Sequence, residues 1–340
     1  MKKILTITIP TYNVEKYLER CLISLTADKS ILNDLEILVV NDGSKDNSLE
    51  VAKKYEKKYP DTIIVVDKEN GGHGSTINVG MEKATGKYFR VLDSDDWFNV
   101  DDFPKYVKQL KKVNADMVLT NYRKEFVFNG TSELYTYEKF LDYDKIYEFD
   151  NFNLKEFGDD YFYLATITYK TEVLRKANFK LDEKTFYVDT EYTSFPIPFV
   201  NTVIYLNYDI YRYYIGRIDQ SVNLASYVRN RSHHDLVVRK LVSFYESGVL
   251  SKTKKEYMKK FLVLLLHTHY SIYCNMKVKE NAKRDIRSFD KFLKTTSTDL
   301  YEASNYGFIR ANRKNKFIFC QSWKNIYTRL AIKKANRGGK

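Results

Sequence analysis

The first 120 residues alternate short apolar runs with amphipathic segments, and this alternation restricts the possible folds more than any other feature. Five apolar runs have the length of strands, at residues 3–9, 35–40, 62–66, 88–92 and 116–120. Between the first two, Tyr17, Leu18, Cys21, Leu22 and Leu25 make one apolar helical stripe. The order predicts an α/β fold with a doubly wound, mainly parallel sheet, which binds ligands beyond the carboxyl ends of its strands.

Two more helices complete this pattern. One is predicted to start near Asp46 and to stop before Pro60, because proline cannot continue a helix. The other is predicted over residues 75–85, with Gly86 as a left-handed cap.

The rest of the chain changes character twice. Residues 121–224 hold short aromatic-rich segments and few helical stripes, which predicts an extension of the same sheet and places a domain over residues 1–224. Residues 225–340 show helical patterns at 226–245, 254–275 and 282–294, which predicts a separate C-terminal helical region.

The positive charge is concentrated in that C-terminal region. Residues 225–340 contain 26 Lys and Arg against 8 Asp and Glu, a surplus of 18, whereas the whole chain has a net charge of +12. Such a surplus suits anionic lipid headgroups, an anionic substrate or nucleic acid. It is equally typical of a solvated helical surface. No RNP, KH or zinc-finger signature is present, so no nucleic-acid partner is expected.

Cysteine content and hydropathy point to a cytoplasmic protein. Cys21, Cys274 and Cys320 are odd in number and far apart, which predicts three reduced thiols. The first apolar run is short and lacks a small-residue cleavage site, and the run at residues 261–266 is far below the ~20 residues that span a bilayer. No signal peptide and no transmembrane helix are therefore expected.

Acidic residues follow two of the predicted strands. Asp42 closes the second strand, and Gly43 allows a tight turn there. Asp93, Asp95 and Asp96 come directly after the fourth strand. Like charges this close are costly unless a cation lies among them, and oxygen ligands of this kind suit Mg²⁺ or Mn²⁺ completed by phosphates and water. Asp96 has a second interpretation, as a helix cap before Trp97.

Five segments along the first hundred residues form a recognisable series. They are Ile9-Pro10-Thr11-Tyr12-Asn13-Val14-Glu15, Asn41-Asp42-Gly43-Ser44-Lys45-Asp46, Asn70-Gly71-Gly72, Ala84-Thr85-Gly86-Lys87-Tyr88 and Asp93-Ser94-Asp95-Asp96-Trp97. Their order and spacing resemble the nucleotide-binding half of family 2 glycosyltransferases, which have the A-type glycosyltransferase fold. The resemblance implies a donor half at residues 1–120 and an acceptor half at residues 121–224.

The resemblance also implies roles for matching residues. Asp42 would accept a hydrogen bond from the base of the nucleotide, commonly uracil, and Asp93 would approach the ribose and the metal. Asp95 would ligate Mn²⁺ or Mg²⁺ in the DxD motif. The remaining predicted nucleotide-binding residues are Pro10, Thr11, Asn13, Glu15, Asn70, Gly72 and Ser94.

One position departs from the family pattern. Many relatives carry an Arg-Asn pair after the glycine segment, whereas this chain reads Ile77-Asn78. Without that arginine, part of the diphosphate clamp must come from elsewhere. His73 and the N-terminus of the helix after it are candidates, although a loop histidine is more often simply exposed.

Inverting transfer needs a base that deprotonates the acceptor hydroxyl. The family places this carboxylate in a Glu-Asp pair some 90 to 100 residues after the metal motif. Here Val188 replaces the glutamate, so Asp189 is the predicted base and Glu191 is its competitor. The alternative role for Asp189 is that of a helix N-cap.

A later segment, residues 211–222, resembles a family segment that folds over the donor phosphates. Arg212, Arg217 and Ser221 are its candidate phosphate donors, and a structural role at a strand edge is the alternative. His233 and His234 are equally explained by a metal role or by surface polarity. His267 and His269 are two apart on a predicted helix, a poor spacing for a shared metal.

Together these features predict an inverting, metal-dependent glycosyltransferase. It would move a sugar from a UDP-sugar, or another nucleoside-diphosphate sugar, to a hydroxyl of a glycan, lipid-linked or protein-linked acceptor in surface polysaccharide or glycoconjugate synthesis. The alternative is a catalytically inactive donor-binding partner of another transferase. The basic C-terminal region would contact the inner face of the cell membrane or form a homo-oligomer.

Overall fold

The structure is a computed structural model that describes residues 3–157, 160–216, 224–276, 279–318, 320, 322 and 325. The chain divides into two compact units. The first unit holds residues 1–219 with 252–254, and the second holds residues 220–251 with 255–340.

The first unit is built on a mixed ten-stranded sheet. Its strands are β1 (Leu5–Thr11), β2 (Leu35–Asp42), β3 (Ile63–Lys68), β4 (Tyr88–Val91), β5 (Trp97–Phe98), β6 (Met117–Phe126), β7 (Thr131–Tyr135), β8 (Ile146–Glu148), β9 (Ile167–Lys170) and β10 (Thr202–Ile215). The strand order is β3-β2-β1-β4-β9-β6-β10-β5, with β7 paired to β6 and β8 to β10. All five strands predicted in the first 120 residues are present, as β1, β2, β3, β4 and β6.

The sheet is parallel where the alternating pattern predicts it. Strands β1 to β4 run parallel, as do β6 and β10, whereas β9 runs antiparallel between β4 and β6. The predicted α/β class is confirmed. The antiparallel strands come from the aromatic-rich segment, whose local pattern gives no strand direction.

Six helices belong to the first unit, namely α1 (Glu15–Thr26), α2 (Ser48–Lys58), α3 (His73–Lys83), α4 (Phe103–Leu110), α5 (Thr171–Ala177) and α6 (Asp189–Ser194). The apolar stripe of α1 is buried through Leu18, Cys21, Leu22 and Leu25. The predicted cap at Gly86 is wrong, because α3 ends at Lys83 and Ala84 turns the chain into an extended conformation. Gly86 is needed for a different reason: a Cβ atom there would lie 2.6 Å from the backbone nitrogen of Thr6.

A buried arginine joins the parallel and antiparallel parts of the sheet. Arg90 on β4 is fully buried, and its guanidinium donates hydrogen bonds to the hydroxyls of Thr120 on β6 and Thr168 on β9, each over 3.1 Å. Its Cζ atom also lies 5.2 Å from the ring centre of Phe98. These contacts fix β4 against β6 and β9 at the end of the strand that leads to the acidic residues.

The second unit is helical. It contains α7 (Leu224–Arg229), α8 (Arg231–Tyr245), most of α9 (Lys252–Cys274), α10 (Lys279–Thr296), α11 (Thr298–Ala303) and α12 (Gly307–Lys314). The single helix expected at residues 226–245 is interrupted at Asn230. None of the helices within the described ranges combines the length and the apolar character that a bilayer crossing requires.

The cysteine expectation is wrong for two of the three residues. Cys274 and Cys320 form a disulfide with their Cα atoms 5.0 Å apart, while Cys21 is a buried thiol. The two partners are 46 residues apart in sequence. Because this proximity arises from the packing of the second unit, cysteine spacing alone does not reveal it.

Candidate active site

The carboxyl ends of β1, β2 and β4 meet at one edge of the sheet. Strand pairing places Thr11 beside Asn41, and Thr8 beside Val91. The residues that follow these three strands are therefore neighbours, as the doubly wound fold predicts. This edge carries the candidate site.

Asp42 organises the loop between β3 and α3. It is only 2% exposed, and its carboxylate accepts hydrogen bonds from the backbone N–H groups of Gly71 and Gly72, each over 2.8 Å. Lys68 Nζ lies 2.9 Å from the same carboxylate. The side-chain amide of Asn70 donates to the carbonyl of Asp42 over 2.9 Å. Three predicted nucleotide-binding residues, Asp42, Asn70 and Gly72, thus lie together.

The loops after β1 and β2 are joined by side chains of the predicted nucleotide-binding set. Asn13 adopts a left-handed conformation with φ of 51°, and its side-chain oxygen accepts from the backbone N–H of Lys45 over 2.7 Å. Glu15 accepts from the backbone N–H of Asn47 over 2.9 Å. Pro10 and Thr11 lie in buried β1. Asn13 and Glu15 therefore join the two loops at the sheet edge, whereas Pro10 and Thr11 are buried within the strand that leads to it.

Residues 93–96 form an acidic loop after β4, and the buried carboxyl of Asp96 holds this loop to β10. Asp96 is 1% exposed, accepts from the hydroxyl of Tyr211 over 2.6 Å, and accepts from the backbone N–H of Tyr214 over 2.8 Å. Burial, followed by the charges of Asp95 and Asp93, raises the pKa of its carboxyl well above the ordinary value. The helix-cap interpretation of Asp96 is wrong, since Trp97 begins a short strand.

The other residues of the acidic loop, Asp93, Ser94 and Asp95, are positioned by further contacts. The backbone N–H of Asp93 donates to the Tyr211 hydroxyl over 3.2 Å, and Ser94 is buried. The main-chain oxygen of Asp95 accepts a hydrogen bond from Arg20 over 2.8 Å. The loop is thereby held from both β10 and α1.

His73 is the first residue of α3 and points at the acidic loop. Its Nε2 atom lies 2.8 Å from Oδ1 of Asp93, and both side chains are about one-third exposed, at 36% and 34%. Burial lowers the pKa of His73, but the charge and hydrogen bond of Asp93 outweigh it and the net pKa is raised, with smaller contributions from Asp189 and Asp95. The predicted phosphate-binding residue therefore carries positive charge more readily than a free histidine.

Residues 181–184 pack against the glycine loop, residues 70–74. They bring the acceptor half to the site. Asn78 exchanges two hydrogen bonds with the backbone of Leu181, over 3.0 and 2.9 Å. The backbone N–H of Lys184 donates to the carbonyl of Gly71 over 2.5 Å. At Gly74 a Cβ atom would lie 2.3 Å from the carbonyl oxygen of Asp182, so only glycine fits. Local sequence patterns gave no sign of this junction.

Asp189 follows this junction in sequence and is near enough to His73 and Asp93 for their charges to affect the pKa of its carboxyl. It begins α6 and is exposed, yet protein surrounds it on most sides, and the loss of hydration raises the pKa of its carboxyl. The neighbouring charge of His73 lowers that pKa and the charge of Asp93 raises it. The competitor Glu191 is fully buried and accepts a hydrogen bond from the backbone N–H of Asp182 over 2.9 Å.

The predicted phosphate-binding arginine on β10 has carboxylate partners elsewhere. Nη1 of Arg212 lies 2.6 Å from Asp209, and its Nε lies 3.6 Å from Glu125. These contacts are on the opposite face of β10 from Tyr211, which faces the acidic loop. The structure therefore does not bring Arg212 to Asp93. Arg217 and Ser221 lie outside the described residues.

A divalent cation at this edge would need oxygen ligands, and Asp93 and Asp95 are the predicted ones. Within the described ranges, no three histidine, cysteine or acidic side chains gather in a way that would hold a metal ion by themselves. Mg²⁺ sites commonly use one or two carboxylates and complete the shell with phosphate oxygens and water. Asp95 and Asp93 fit this open type of site, in which the substrate supplies the missing ligands.

Comparison with known proteins agrees with this architecture. GlyA of Streptococcus pneumoniae, a glycosyltransferase, is 33% identical over 146 residues, which cover 42% of this chain and 20% of GlyA. S. aureus TarS 1-349 in complex with UDP-GlcNAc superposes with a TM-score of 0.71 at 19% identity, covering 96% of this chain and 92% of that one.

A third protein is similar in fold. The mannosyltransferase PcManGT from Pyrobaculum calidifontis, in complex with GDP-Man and Mn2+, has a TM-score of 0.53 at 14% identity, over 96% of this chain and 88% of its own. By contrast, the matched regions span less than half of the curated relatives' own lengths.

The mixed sheet, with its candidate site at the carboxyl ends of β1, β2 and β4, defines an A-type glycosyltransferase fold. Residues 6–176 match the model of glycosyl transferase family 2. The chain belongs to that family.

Proposed function

We propose that the chain is an inverting, divalent-metal-dependent glycosyltransferase that moves a sugar from a UDP-sugar to an acceptor hydroxyl. The observation that carries the proposal is the position of Asp189. The charges of His73 and Asp93 affect the pKa of its carboxyl, and His73 follows directly on the loop where Asp42, Asn70 and Gly72 gather. A candidate base and a candidate nucleotide site therefore share one edge of the sheet.

The donor is proposed to lie along the loops after β1 and β2. Asp42 would accept a hydrogen bond from uracil, while Pro10, Thr11, Asn13 and Glu15 line the nucleoside side. The fold neighbour TarS 1-349 of S. aureus is in complex with UDP-GlcNAc, which supports a UDP-sugar as the first donor to test.

Asp189 is proposed to take the proton from the acceptor hydroxyl. A carboxylate with a raised pKa is a stronger base than a free aspartate. Glu191 is unsuited to this role, because its buried carboxylate holds the backbone of Asp182. Asp189 is accessible to a substrate, whereas Glu191 is not.

Asp95 and Asp93 are the residues that would hold Mn²⁺ or Mg²⁺. A bound divalent ion would neutralise the charge that develops on the departing nucleoside diphosphate. His73, whose pKa Asp93 raises, is proposed to offset the arginine that relatives carry before Asn78. The first N–H groups of α3 point to the same edge.

The acceptor is proposed to be a hydroxyl of a glycan, lipid-linked or protein-linked molecule in surface polysaccharide or glycoconjugate synthesis on the cytoplasmic side of the membrane. The transfer breaks the bond between the anomeric carbon and the diphosphate and forms one to the acceptor oxygen. The acceptor proton goes to Asp189, and the electron pair of the broken bond leaves with UDP.

The test is UDP release from a panel of UDP-sugars, measured with Mn²⁺ and with EDTA. We expect Mn²⁺-dependent release that Asp95→Asn abolishes while circular dichroism and the melting temperature stay unchanged. Asp101→Asn, on an exposed turn, is the matched control and should keep full activity. Metal-independent donor binding without turnover on any acceptor would instead identify a catalytically inactive partner.

A further inference from the structure

The exposed side of α10 is a stripe of positive charge. Arg287, Lys291 and Lys294 are exposed, and Lys283 precedes them by one helical turn. The spacing of i, i+4 and i+7 puts these side chains on the same side of the helix. The opposite side is buried through Ile286, Phe289 and Leu293.

A second positive segment adjoins this stripe. The guanidinium of Arg287 donates two hydrogen bonds, over 2.9 and 2.5 Å, to the main-chain oxygen of Lys316. Arg310 and Lys314 are exposed one turn apart on α12, and Lys316 is exposed after it. Residues 307–318 contain no acidic residue. The two helices thus present one continuous basic face, made of Arg287, Lys291, Lys294, Arg310, Lys314 and Lys316.

The nearby carboxylates are engaged with other groups. Asp290 pairs with Arg313 over 2.8 Å, and Asp285 pairs with Arg284 over 3.0 Å. Within the described ranges, none of the six cations of the basic face has a carboxylate within salt-bridge distance. Their charges are therefore available to an external anion.

Apolar groups border the basic face. Ile318 follows Lys316 and is 49% exposed. A cavity of about 130 Å³ lies beside it, lined by Ile286, Phe317, Ile318 and Tyr273, with Lys283 at its polar side. Polyphosphate would use only the charges, and nucleic acid would add aromatic rings for stacking rather than an aliphatic side chain. A lipid surface uses both cations and apolar side chains at its boundary.

We propose that the basic face of the second unit, together with Ile318, docks on an anionic phospholipid bilayer. The lysines and arginines would contact phosphate headgroups, and Ile318 would enter the boundary between headgroups and acyl chains. Each cation near an anionic bilayer strengthens binding by about fivefold at low salt. This contact does not depend on the proposed transfer reaction, so either proposal can fail alone.

The experiment is sedimentation of the full chain with vesicles of phosphatidylcholine containing phosphatidylglycerol, compared with vesicles of phosphatidylcholine alone. We expect binding only to the anionic vesicles, and weaker binding as salt rises from 50 to 500 mM, because the Debye length falls about threefold over that range. The variant Lys291→Gln/Lys294→Gln/Lys314→Gln should lose about a hundredfold in affinity.

A matched control removes the same charge from the first unit. The exposed lysines Lys53, Lys57 and Lys112, all changed to Gln, should leave vesicle affinity nearly unchanged. Equal losses in the two triple variants would overturn the proposal, because net charge alone would then explain binding.

A second variant separates a lipid surface from a polyanion. Ile318→Ser should weaken vesicle binding by about fivefold, through the apolar area lost at the boundary, and leave affinity for polyphosphate unchanged. Binding to polyphosphate or single-stranded DNA without any binding to anionic vesicles would overturn the proposal in favour of a polyanionic partner.

Discussion

Arg20 on α1 holds the main chain of Asp95, because its Nη2 atom donates a hydrogen bond to the main-chain oxygen of Asp95 over 2.8 Å. The guanidinium carbon of Arg20 also lies 3.8 Å from the ring centre of Trp97. Tyr214 covers the guanidinium at 4.4 Å. A flat, charged group is needed to stack on two rings and donate at its edge. The position of the proposed metal ligand therefore depends on a side chain of α1, outside the acidic loop itself.

Arg20→Lys is expected to weaken the response to metal. Lysine keeps the charge but cannot stack and donate in this geometry, so the apparent Mn²⁺ affinity should fall by about tenfold while the melting temperature changes little. The measurement is UDP release against Mn²⁺ concentration. Arg123→Lys, which alters a half-buried arginine paired with Asp209, is the control. An unchanged Mn²⁺ titration in Arg20→Lys would show that the stacked guanidinium does not position Asp95.

Substitutions of the two α6 carboxylates, Asp189 and Glu191, should have different effects on turnover and stability. Asp189→Asn removes the proposed base and should lower kcat by about 10² to 10⁴, with donor affinity and stability retained. Glu191→Gln weakens a buried hydrogen bond and should cost about 1–3 kcal/mol of stability. Turnover assays and urea denaturation distinguish the outcomes. If Glu191→Gln folds normally and is inactive while Asp189→Asn turns over, the base has been assigned to the wrong residue.

Gly74→Ala should damage the junction between the glycine loop and residues 181–184. Its Cβ atom would overlap the carbonyl oxygen of Asp182 at 2.3 Å, and such overpacking typically costs about 1–3 kcal/mol. We expect a lower melting temperature and loss of UDP release. Gly130→Ala has open space around its Cβ atom and tests only the backbone strain of a positive φ. It should leave activity intact, and a Gly74→Ala variant as active as Gly130→Ala would refute the junction's role.

The buried histidines of the second unit should make stability fall in acid. Nδ1 of His234 lies 3.0 Å from Nδ1 of His269, both are buried, and burial lowers the pKa of each. Burial also lowers the pKa of His267 to about 4. The unfolded chain, with histidine pKa values near 6.5, then binds protons that the folded chain does not. Stability is therefore complete above about pH 6.5 and falls as pH drops towards 4, by up to about 1.4 kcal/mol per pH unit for each histidine.

Urea denaturation between pH 7.5 and 4.5 measures this slope. His269→Phe should flatten it, because phenylalanine does not titrate and fits beside Phe289. His233→Gln, one residue from the buried pair, is the control. A slope that His269→Phe leaves unchanged would place the proton uptake elsewhere.

The sequence predicted those parts of the site that depend on local pattern. Buried parallel strands are nearly continuous apolar runs, so their ends, and with them Asp42 and Asp93, are readable directly. The roles assigned to these residues stay predictions. His234 was harder to interpret: surface polarity does not describe a buried residue paired across 35 positions with His269.

Features set by distant contacts were not predictable. The role of Asp96 depends on Tyr211 and Tyr214, which lie more than a hundred residues away. The disulfide and the junction at residues 181–184 likewise join segments that no periodicity connects. Arg212 was predicted to bind phosphate from its residue type alone, but in the structure it pairs with Asp209 and Glu125. Local pattern therefore identifies strand ends, whereas tertiary pairing decides which side chains face them.

The hydrogen bonds of Asn78 with Leu181 span 103 positions. During translation the glycine loop therefore leaves the ribosome long before its packing partner is made. Closing so long a loop carries an entropic cost, and contacts of this range slow folding. A nascent chain would therefore leave the glycine loop without its packing partner until residue 184 has emerged.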